Sequence, residues 1–512
     1  MASRLILCLL VCGYCAIVSG SNKHGFAVVP TSSFFASEAA CLAAASPGSG
    51  SSAKRKPNEF HGNCTGISQE SVQFHRNFTG NRKISSIQRG LIFSAVASDP
   101  NRVSVPLTHR HSPCTPSGAS GQPSLAERLR RDRARARYIM SRVSSGRAIT
   151  RLSNGGGASV PTHADAAVGS VDYVVTVGLG TPAVKKVLIM DINSALSWVQ
   201  CAPCNVTSSC SPQKNPVFDP SKSSTYAPIL CDTDACRGLV VDFDDNGCTN
   251  GTGPSLCRCW IEYSNADGLY ITDTLTLNPG VSVNFSFGCG LAHQGTFDKF
   301  DGLLGLGGAP ASLVSQKAGL YGGAFSYCLP PRNRTAGFLT LGAPRNNTAG
   351  FVFVPLYHNT TYCYAVTLAG ISVAGKPLPI PPAVFSGGMV LDSIMEITVL
   401  PSTAYTALRR AFRSAMSMYP LLPPNKDYVY DLDTCYNFTG FSNVTVPTVS
   451  LSFSGGATID IDPSGVLLEG CLAFAHGVSD GGNGLIGTVN QRTLEVLYDS
   501  SKWHVGFRSG AC

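Results

Sequence analysis

Residues 187–201 read VLIMDINSALSWVQC. An apolar run, Val187 to Met190, leads into Asp191. The turn formers Asn193 and Ser194 follow, and then Leu196, Trp198 and Val199. The pattern predicts a strand, a tight turn carrying a carboxylate, and a second strand. Taken alone, Asp191 is a turn residue, because Asp, Asn and Ser side chains hydrogen-bond the local backbone. The stretch has a counterpart. Residues 389–400 read MVLDSIMEITVL, in which Asp392 lies 201 positions after Asp191. About a hundred residues beyond each turn comes a second shared pattern, FDGLLGLGG (300–308) and GNGLIGTVN (482–490). Two strand–Asp–strand units, each with its own apolar-Gly partner, make an internal duplication. Two homologous lobes bring the two Asp residues together at their interface. Two carboxylates in contact do not both ionise easily, so they share a proton. The ionised one serves as general base on a water between them, and the protonated one polarises a carbonyl. Such a dyad requires no metal, no cofactor and no covalent intermediate.

The rest of the chain sets the context. Its 512 residues, 44% of them hydrophobic, suffice for one or two large cores. The start, MASRLILCLLVCGYCAIVSG, has Arg4 ahead of an apolar core from Leu5 to Val18 and small residues before position 21. It is expected to be a secretory signal peptide, residues 1–20. A membrane anchor is the alternative, and the short apolar core argues against it. Fourteen cysteines lie between Cys201 and Cys512. In a secreted chain that number implies disulfides. Ten Asn-x-Ser/Thr acceptors, among them Asn205, Asn284, Asn437 and Asn443, point the same way. The net charge of +8 is uneven: residues 1–165 hold 20 Lys+Arg and 7 Asp+Glu, residues 166–512 hold 19 and 24. An acidic body with a detachable basic segment follows.

Residues 21–165 show little strand pattern. Within them SLAERLRRDRARARYIMSRVSS (124–145) predicts a basic amphipathic helix, with Ser124 and Glu127 as a capping box. Leu125, Leu129, Arg133, Ala136 and Ile139–Met140 fall near helical spacing. Nucleic acid or a membrane surface is one partner for such a helix. An inhibitory prosegment whose cations cover an acidic cleft is the simpler reading, given the charge split. RLSNGGGASVPTHAD (151–165) then reads as an exposed linker suited to processing. From Ser170 onward the chain is β-rich and punctuated by Gly, Pro and Asn. Residues 401–416 form the clearest later helix, with Leu408, Phe412 and Met416 on one face.

Several motifs carry a resemblance: YVVTVGLGTP, LSWVQCAPC, VFDPSKSSTYA, FSFGCG, DGLLGLGG, FSYCLPP, LPSTAYTALRRAF, DTCYNFTG, CLAFA and QRTLEVLYD. Through them Ser170–Cys512 resembles the pepsin-like aspartic proteases, in particular the plant group of nepenthesins and chloroplast nucleoid DNA-binding proteases. VPLTHRHSPCTP and the Arg-rich helix extend the likeness into the prosegment. The resemblance implies a mostly β, bilobal fold with a peptide cleft between two homologous lobes. Residues 1–20 are then the leader, 21–165 the prosegment and linker, 166–340 the N-terminal lobe and 341–512 the C-terminal lobe. Asp191 and Asp392 take the catalytic positions, Tyr263 that of the flap tyrosine, and Trp198 that of a tryptophan packed behind it. Core packing is the plain alternative for each aromatic. The family further implies disulfides Cys201–Cys204, Cys210–Cys289, Cys231–Cys257, Cys236–Cys248, Cys328–Cys512 and Cys435–Cys471. Read by itself, Cys201-Ala-Pro-Cys204 is also half a zinc or redox site, but no second CxxC or His pair accompanies it. Cys259 and Cys363 are left over, to pair or stay free.

The catalytic loops depart from the family's Asp-Thr/Ser-Gly-Thr/Ser. Here they read Asp191-Ile192-Asn193-Ser194 and Asp392-Ser393-Ile394-Met395. In the family the hydroxyl after each Asp bonds across to the opposite loop. Ile192 has none, so that side is expected to be lost, whereas Ser393 can keep the other. Asn193 and Ile394 put side chains where glycine admits close backbone approach. Ser194 keeps the family's fourth hydroxyl, directed at the outer oxygen of its Asp, and Met395 does not. The flap, Tyr263-Ser264-Asn265-Ala266-Asp267-Gly268, is about three residues shorter than the family's. Three readings follow: an aspartic endopeptidase of weakened or altered activity, a non-catalytic binder of peptides or proteins like the plant xylanase-inhibitor relatives, and a nucleic-acid binder acting through the Arg-rich segment. The expected mature form is a monomer with a peptide or protein in its cleft, without nucleic acid or membrane partners. It is expected in the apoplast or vacuole, with the plastid suggested by resemblance.

Overall fold

The computed structural model describes residues 25–31, 99–110, 123–145, 173–204, 210–213, 215–242, 247–249, 253–261, 266–291, 300–331, 337–344, 348–357, 363–423 and 432–512. The expected leader, the linker at 151–165 and Tyr263 lie outside them. The apolar run before Asp191 is a strand, Val184–Asp191, paired antiparallel with Tyr173–Leu179 and parallel with Gly302–Gly305. Gly302–Gly305 pairs antiparallel with Trp198–Gln200, which pairs parallel with Val281–Gly290. In the second half Met389–Leu391 pairs parallel with Gly484–Ile486. That strand meets Thr398–Pro401 antiparallel, which meets Phe474–Val478 parallel. The same order of pairings occurs twice, so the duplication read from the sequence is present in the topology. The glycines of the partner motifs have a steric cause. A Cβ on Gly305 would lie 2.8 Å from the Ser194 carbonyl oxygen, and one on Gly487 2.4 Å from that of Ile397. Only glycine lets each strand run this close to an Asp turn.

A continuous ladder joins the halves. Its order is His504–Arg508, Glu495–Asp499, Ala324–Cys328, Gly337–Leu341, Val103–His109 and Tyr173–Leu179. Val103–His109 belongs to the segment expected to be strand-poor, and that expectation fails here. Val103, Val105, Leu107 and His109 alternate inward, the period-two pattern of a half-buried strand. Pro106 masks the signal in the sequence. Its side chain lies on the exposed face of the strand, and the strand's partners come from far along the chain. A second strand from the same segment, Phe26–Pro30, pairs antiparallel with Asn443–Pro447.

One apolar cluster runs through both halves and includes Leu188, Phe325, Leu391 and Phe474. Two smaller clusters flank the region between the Asp turns. One holds Trp198 and Ile394, the other Met395 with Leu129 and Ile139. The later helix forms as expected at Ser402–Ala415, burying Leu408 and Phe412.

Among the described residues six disulfides are present, and four differ from the implied pairing. Cys201 joins Cys289 and Cys204 joins Cys210; Cys231 joins Cys248 and Cys236 joins Cys257. The first exchange follows from strand pairing. Val199 lies opposite Cys289 and the Cys201 N–H donates to the Gly290 carbonyl at 2.9 Å, which sets Cys201 beside Cys289. In the second, Cys236 and Cys257 are buried in one apolar cluster, leaving Cys231 to Cys248. Cys328–Cys512 and Cys435–Cys471 are as expected.

Candidate active site

The basic segment is a helix, Leu125–Ser145. The Glu127 N–H donates to Ser124 Oγ at 3.2 Å, the N-cap half of the expected box. The Glu127 carboxylate turns instead to Arg130 and Arg131, and these hydrogen bonds, Arg130 first, bring its pKa down to about 2. Arg128, Arg135 and Arg142 recur every seven residues and so share one stripe of the helix. All three are buried, together with Leu129, Ala136 and Ile139. Fully burying a Leu or Ile side chain contributes roughly 1.5–3 kcal/mol, so Leu129 and Ile139 anchor the helix apolarly. Its charged stripe then needs partners, because an unpaired buried guanidinium is costly.

The partners are the residues read as a dyad. Arg135 Nη2 donates to Asp191 Oδ1 at 2.8 Å and to Asp392 Oδ2 at 2.9 Å. Arg135 Nη1 reaches Asp191 Oδ2 and Nε reaches Asp392 Oδ2, each at 3.1 Å. The duplicated turns therefore bring both carboxylates within reach of one nitrogen atom, and all three side chains are fully buried. Two turns earlier on the helix, Arg128 bonds Glu396 at 2.9 Å and Glu469 at 2.7 Å, while Asp132 accepts from the Glu396 N–H at 2.7 Å. Two turns later, Arg142 donates to the Asn193 carbonyl at 3.3 Å. Burial alone would raise the Asp392 pKa. The Arg135 charge and the N–H groups of Met395 and Ile394 outweigh it and hold the carboxyl below the usual range.

The loops are held differently from what their sequences suggest. Ser393 Oγ donates to the Met190 carbonyl at 2.9 Å and accepts from the Ile192 N–H at 3.1 Å, so that side of the crossing is kept. The other side is not lost. Asn193 Nδ2 donates to the Leu391 carbonyl at 2.9 Å and to Asp392 Oδ2 at 2.9 Å. Asn193 does place atoms between the loops, and they bridge them. Ser194 Oγ donates to the Leu196 carbonyl at 3.2 Å, which corrects its expected placement on the outer oxygen of Asp191. Asp392 Oδ1 lacks a hydroxyl from position 395 but accepts the N–H of Ile394 at 2.9 Å and of Met395 at 2.8 Å. The Ile394 and Met395 side chains are fully buried and turn to opposite clusters.

Trp198 is buried in the cluster beside the first turn and lies opposite Leu303 and Gly288. The flap hairpin is present as Arg258–Ile261 paired with Ala266–Asn278, and Tyr263, between them in the sequence, lies outside the described residues. Cys259 and Cys363 are both buried thiols that join none of the six disulfides, and burial pushes that of Cys363 up to about 11. Among the described residues no group of three or more His, Cys, Asp or Glu is arranged to hold a metal ion. No helix among them is long and apolar enough to cross a membrane. Arg135 and Asn193 are the contact residues that reading the sequence misses. The seven-residue spacing of Arg128, Arg135 and Arg142 is the available signal for the first. Nothing local signals the second, because its amide acts across the interface.

Residues 173–343 match the family model described as xylanase inhibitor N-terminal, and residues 363–509 the model described as xylanase inhibitor C-terminal. An aspartyl protease family protein of Arabidopsis thaliana is 38% identical over 80% of this chain and 87% of its own length. The aspartic proteinase nepenthesin-2 of Nepenthes gracilis is 33% identical over 70% of this chain and 82% of its own. Among solved structures, basic 7S globulin from soybean aligns with a TM-score of 0.52 at 20% identity, covering 66% of this chain and 91% of that one. Conglutin gamma from lupine seeds aligns at 0.50 and 22% identity, with the same coverage; these two speak for the fold alone. With a duplicated β topology, two converging aspartates and relatives matched over most of both chains, the protein belongs to the pepsin-like aspartyl protease family.

Proposed function

We propose that this chain is the proenzyme of an aspartic endopeptidase, with Asp191 and Asp392 as its catalytic pair and the helix Leu125–Ser145 as its inhibitor. The observation that carries the reading is the single nitrogen, Arg135 Nη2, bonded to both carboxylates. A water in that place would touch both Asp191 and Asp392. With one proton shared between them, the ionised carboxylate takes a proton from the water as its oxygen attacks the scissile carbonyl carbon. The protonated carboxyl gives its proton to the carbonyl oxygen, forming a neutral gem-diol. Collapse of the gem-diol breaks the C–N bond: one hydroxyl gives its proton to the ionised carboxylate as the carbonyl re-forms, and the leaving nitrogen takes the proton of the other carboxyl, so the dyad again shares one proton. While Arg135 sits between the carboxylates, neither the water nor a substrate has room.

Acid should open the site. The Asp392 carboxyl is held below its ordinary value, so the stability it contributes is present above about pH 4 and is lost as pH falls through the lower folded value. The arginines stay charged throughout. A leader-like start, six disulfides and the exposure of Asn284, Asn437 and Asn443 support passage through the secretory pathway, with the apoplast or vacuole as destination. The peptide or protein substrate would lie in the cleft vacated by the helix. The buried side chains of Ile394 and Met395, where the family has glycine and a hydroxyl, favour a second reading: the same cleft binding a peptide without cutting it. The two part in one assay. Acid-treated protein is incubated with denatured globin, with and without a pepstatin-type inhibitor, beside an Asp191→Ala control. Inhibitor-sensitive cleavage that the control lacks is expected; a folded protein that cleaves nothing refutes the endopeptidase and leaves the binder.

A further inference from the structure

The first loop has lost the residue that normally ties it to its neighbour, yet the tie is present. Ile192 carries no hydroxyl, and its side chain is buried in the main apolar cluster. One position on, Asn193 sends its amide across the interface. Nδ2 lies 2.9 Å from the Leu391 carbonyl oxygen, immediately before the second aspartate, and 2.9 Å from Asp392 Oδ2. The residue is fully buried and its backbone N–H donates to Asp191 Oδ1 at 2.8 Å. One asparagine thus touches both carboxylates and the backbone of the opposite loop. The amide orientation follows from its neighbours. Both are acceptors, so the nitrogen must face them; Oδ1 points away and has no hydrogen-bond partner among the described residues.

We propose that Asn193 is a positioning residue of this dyad: its amide replaces the missing cross-loop hydroxyl and at the same time holds Asp392 in its ionised form. The proposal rests on the endopeptidase reading for its effect on turnover. Its effect on the carboxylates stands apart from that reading. A donor to a carboxylate favours the charged form, and this one adds to the two N–H groups already on Oδ1. The two duties separate chemically. A threonine at 192 would supply a hydroxyl for the Leu391 carbonyl, but not the second donor to Asp392 Oδ2.

The test compares the full-length chain with Asn193→Ala, Ile192→Thr and the double variant, each after acid treatment. Alanine keeps the Cβ already accommodated there and removes only the amide. Asn193→Ala is expected to lower kcat/KM by on the order of tenfold or more, as loss of a hydrogen bond to a charged group implies. Its acid limb should move to higher pH by about one unit. Ile192→Thr/Asn193→Ala should recover most of the turnover and retain the displaced limb, a split that a merely structural role would not produce. Unchanged turnover and an unchanged limb in a folded Asn193→Ala variant overturn the proposal. If that variant unfolds, rescue of its thermal midpoint by Ile192→Thr supports the replacement, and no rescue overturns it. Carbon-13 NMR of the aspartate carboxyls, with Asp392 assigned through Asp392→Asn, reads the same titration without turnover. If the parent cleaves nothing while Asn193→Ala raises the Asp392 titration, the endopeptidase reading fails and Asn193 keeps its role. If the titration stays where it was, the role fails regardless of activity.

Discussion

The two Asp turns share a strand geometry and differ in what secures the carboxylate. The first, Asp191 to Ser194, lost a hydroxyl at position 192 and recovers the connection through a side chain, Asn193, that reaches the other lobe. The second, Asp392 to Met395, lost a hydroxyl at 395 and recovers the connection through its own backbone N–H. One repair is long-range and depends on residue identity, whereas the other is local and depends on loop shape. The loops therefore respond differently to substitution, even though both depart from the family pattern to a similar degree.

Arg135→Ala removes the element common to both loops and should have the largest effect. It leaves two fully buried carboxylates without their cation, and breaking a buried pair in this way costs about 3–5 kcal/mol. Thermal unfolding of the full chain should report that loss at neutral pH, and limited proteolysis should find the helix displaced. The pH dependence sharpens the point. Parent stability should fall as pH drops below about 4, because Asp392 is held in its charged form. The variant should have lost most of that slope. A parent and variant that follow the same acid curve would detach Arg135 from the dyad's charge state.

Ile394→Gly comes next and separates family pattern from local packing. By sequence, restoring glycine looks like a repair. In the structure the Ile394 side chain is fully buried in the cluster around Trp198 and Leu303. Removing a buried Ile side chain costs roughly 2–5 kcal/mol, with glycine adding flexibility to the unfolded chain. The expected outcome is a destabilised protein with no gain in turnover, measured by thermal unfolding and peptide cleavage. A stable and faster variant would show that the second loop retains the family's need for glycine.

Much of this site was legible in the sequence because it was written twice. The repeat itself was the signal: two strand–Asp–strand units with their apolar-Gly partners predicted the duplicated pairings and the meeting of Asp191 with Asp392. A basic helix opposite an acidic body likewise predicted a covered cleft. What the sequence did not disclose depends on contacts between distant segments. Val103–His109 becomes a central strand only beside Gly337–Leu341 and Tyr173–Leu179. Cys201 chooses Cys289 over Cys204 because strand register sets it there. Asn193 looks like an intrusion until Leu391 is placed opposite it.

Ser393→Ala tests the retained crossing. The hydroxyl serves two backbone groups at once, the Met190 carbonyl and the Ile192 N–H, in a fully buried setting. Leaving such groups unpaired costs about 1–3 kcal/mol. The stability loss should be smaller than that of Ile394→Gly. Combined with Asn193→Ala, it should exceed the sum of the single losses, because each crossing then lacks the other to hold the loops in register. Strict additivity in thermal unfolding would mean that the two crossings act independently.

Ser194→Ala should have the smallest effect, although by sequence Ser194 is the one hydroxyl the first loop keeps. Its Oγ donates to the Leu196 carbonyl within the same turn. Losing one neutral hydrogen bond of this kind costs about 0.5–1.5 kcal/mol. Because that bond does not reach Asp191, the acid limb of turnover should stay where it is in the parent. Asn193→Ala, one residue away, should move it. A matched pair of pH profiles therefore decides which side chain of the first loop governs the dyad: a limb displaced by Ser194→Ala and left alone by Asn193→Ala would restore the hydroxyl to the family's role.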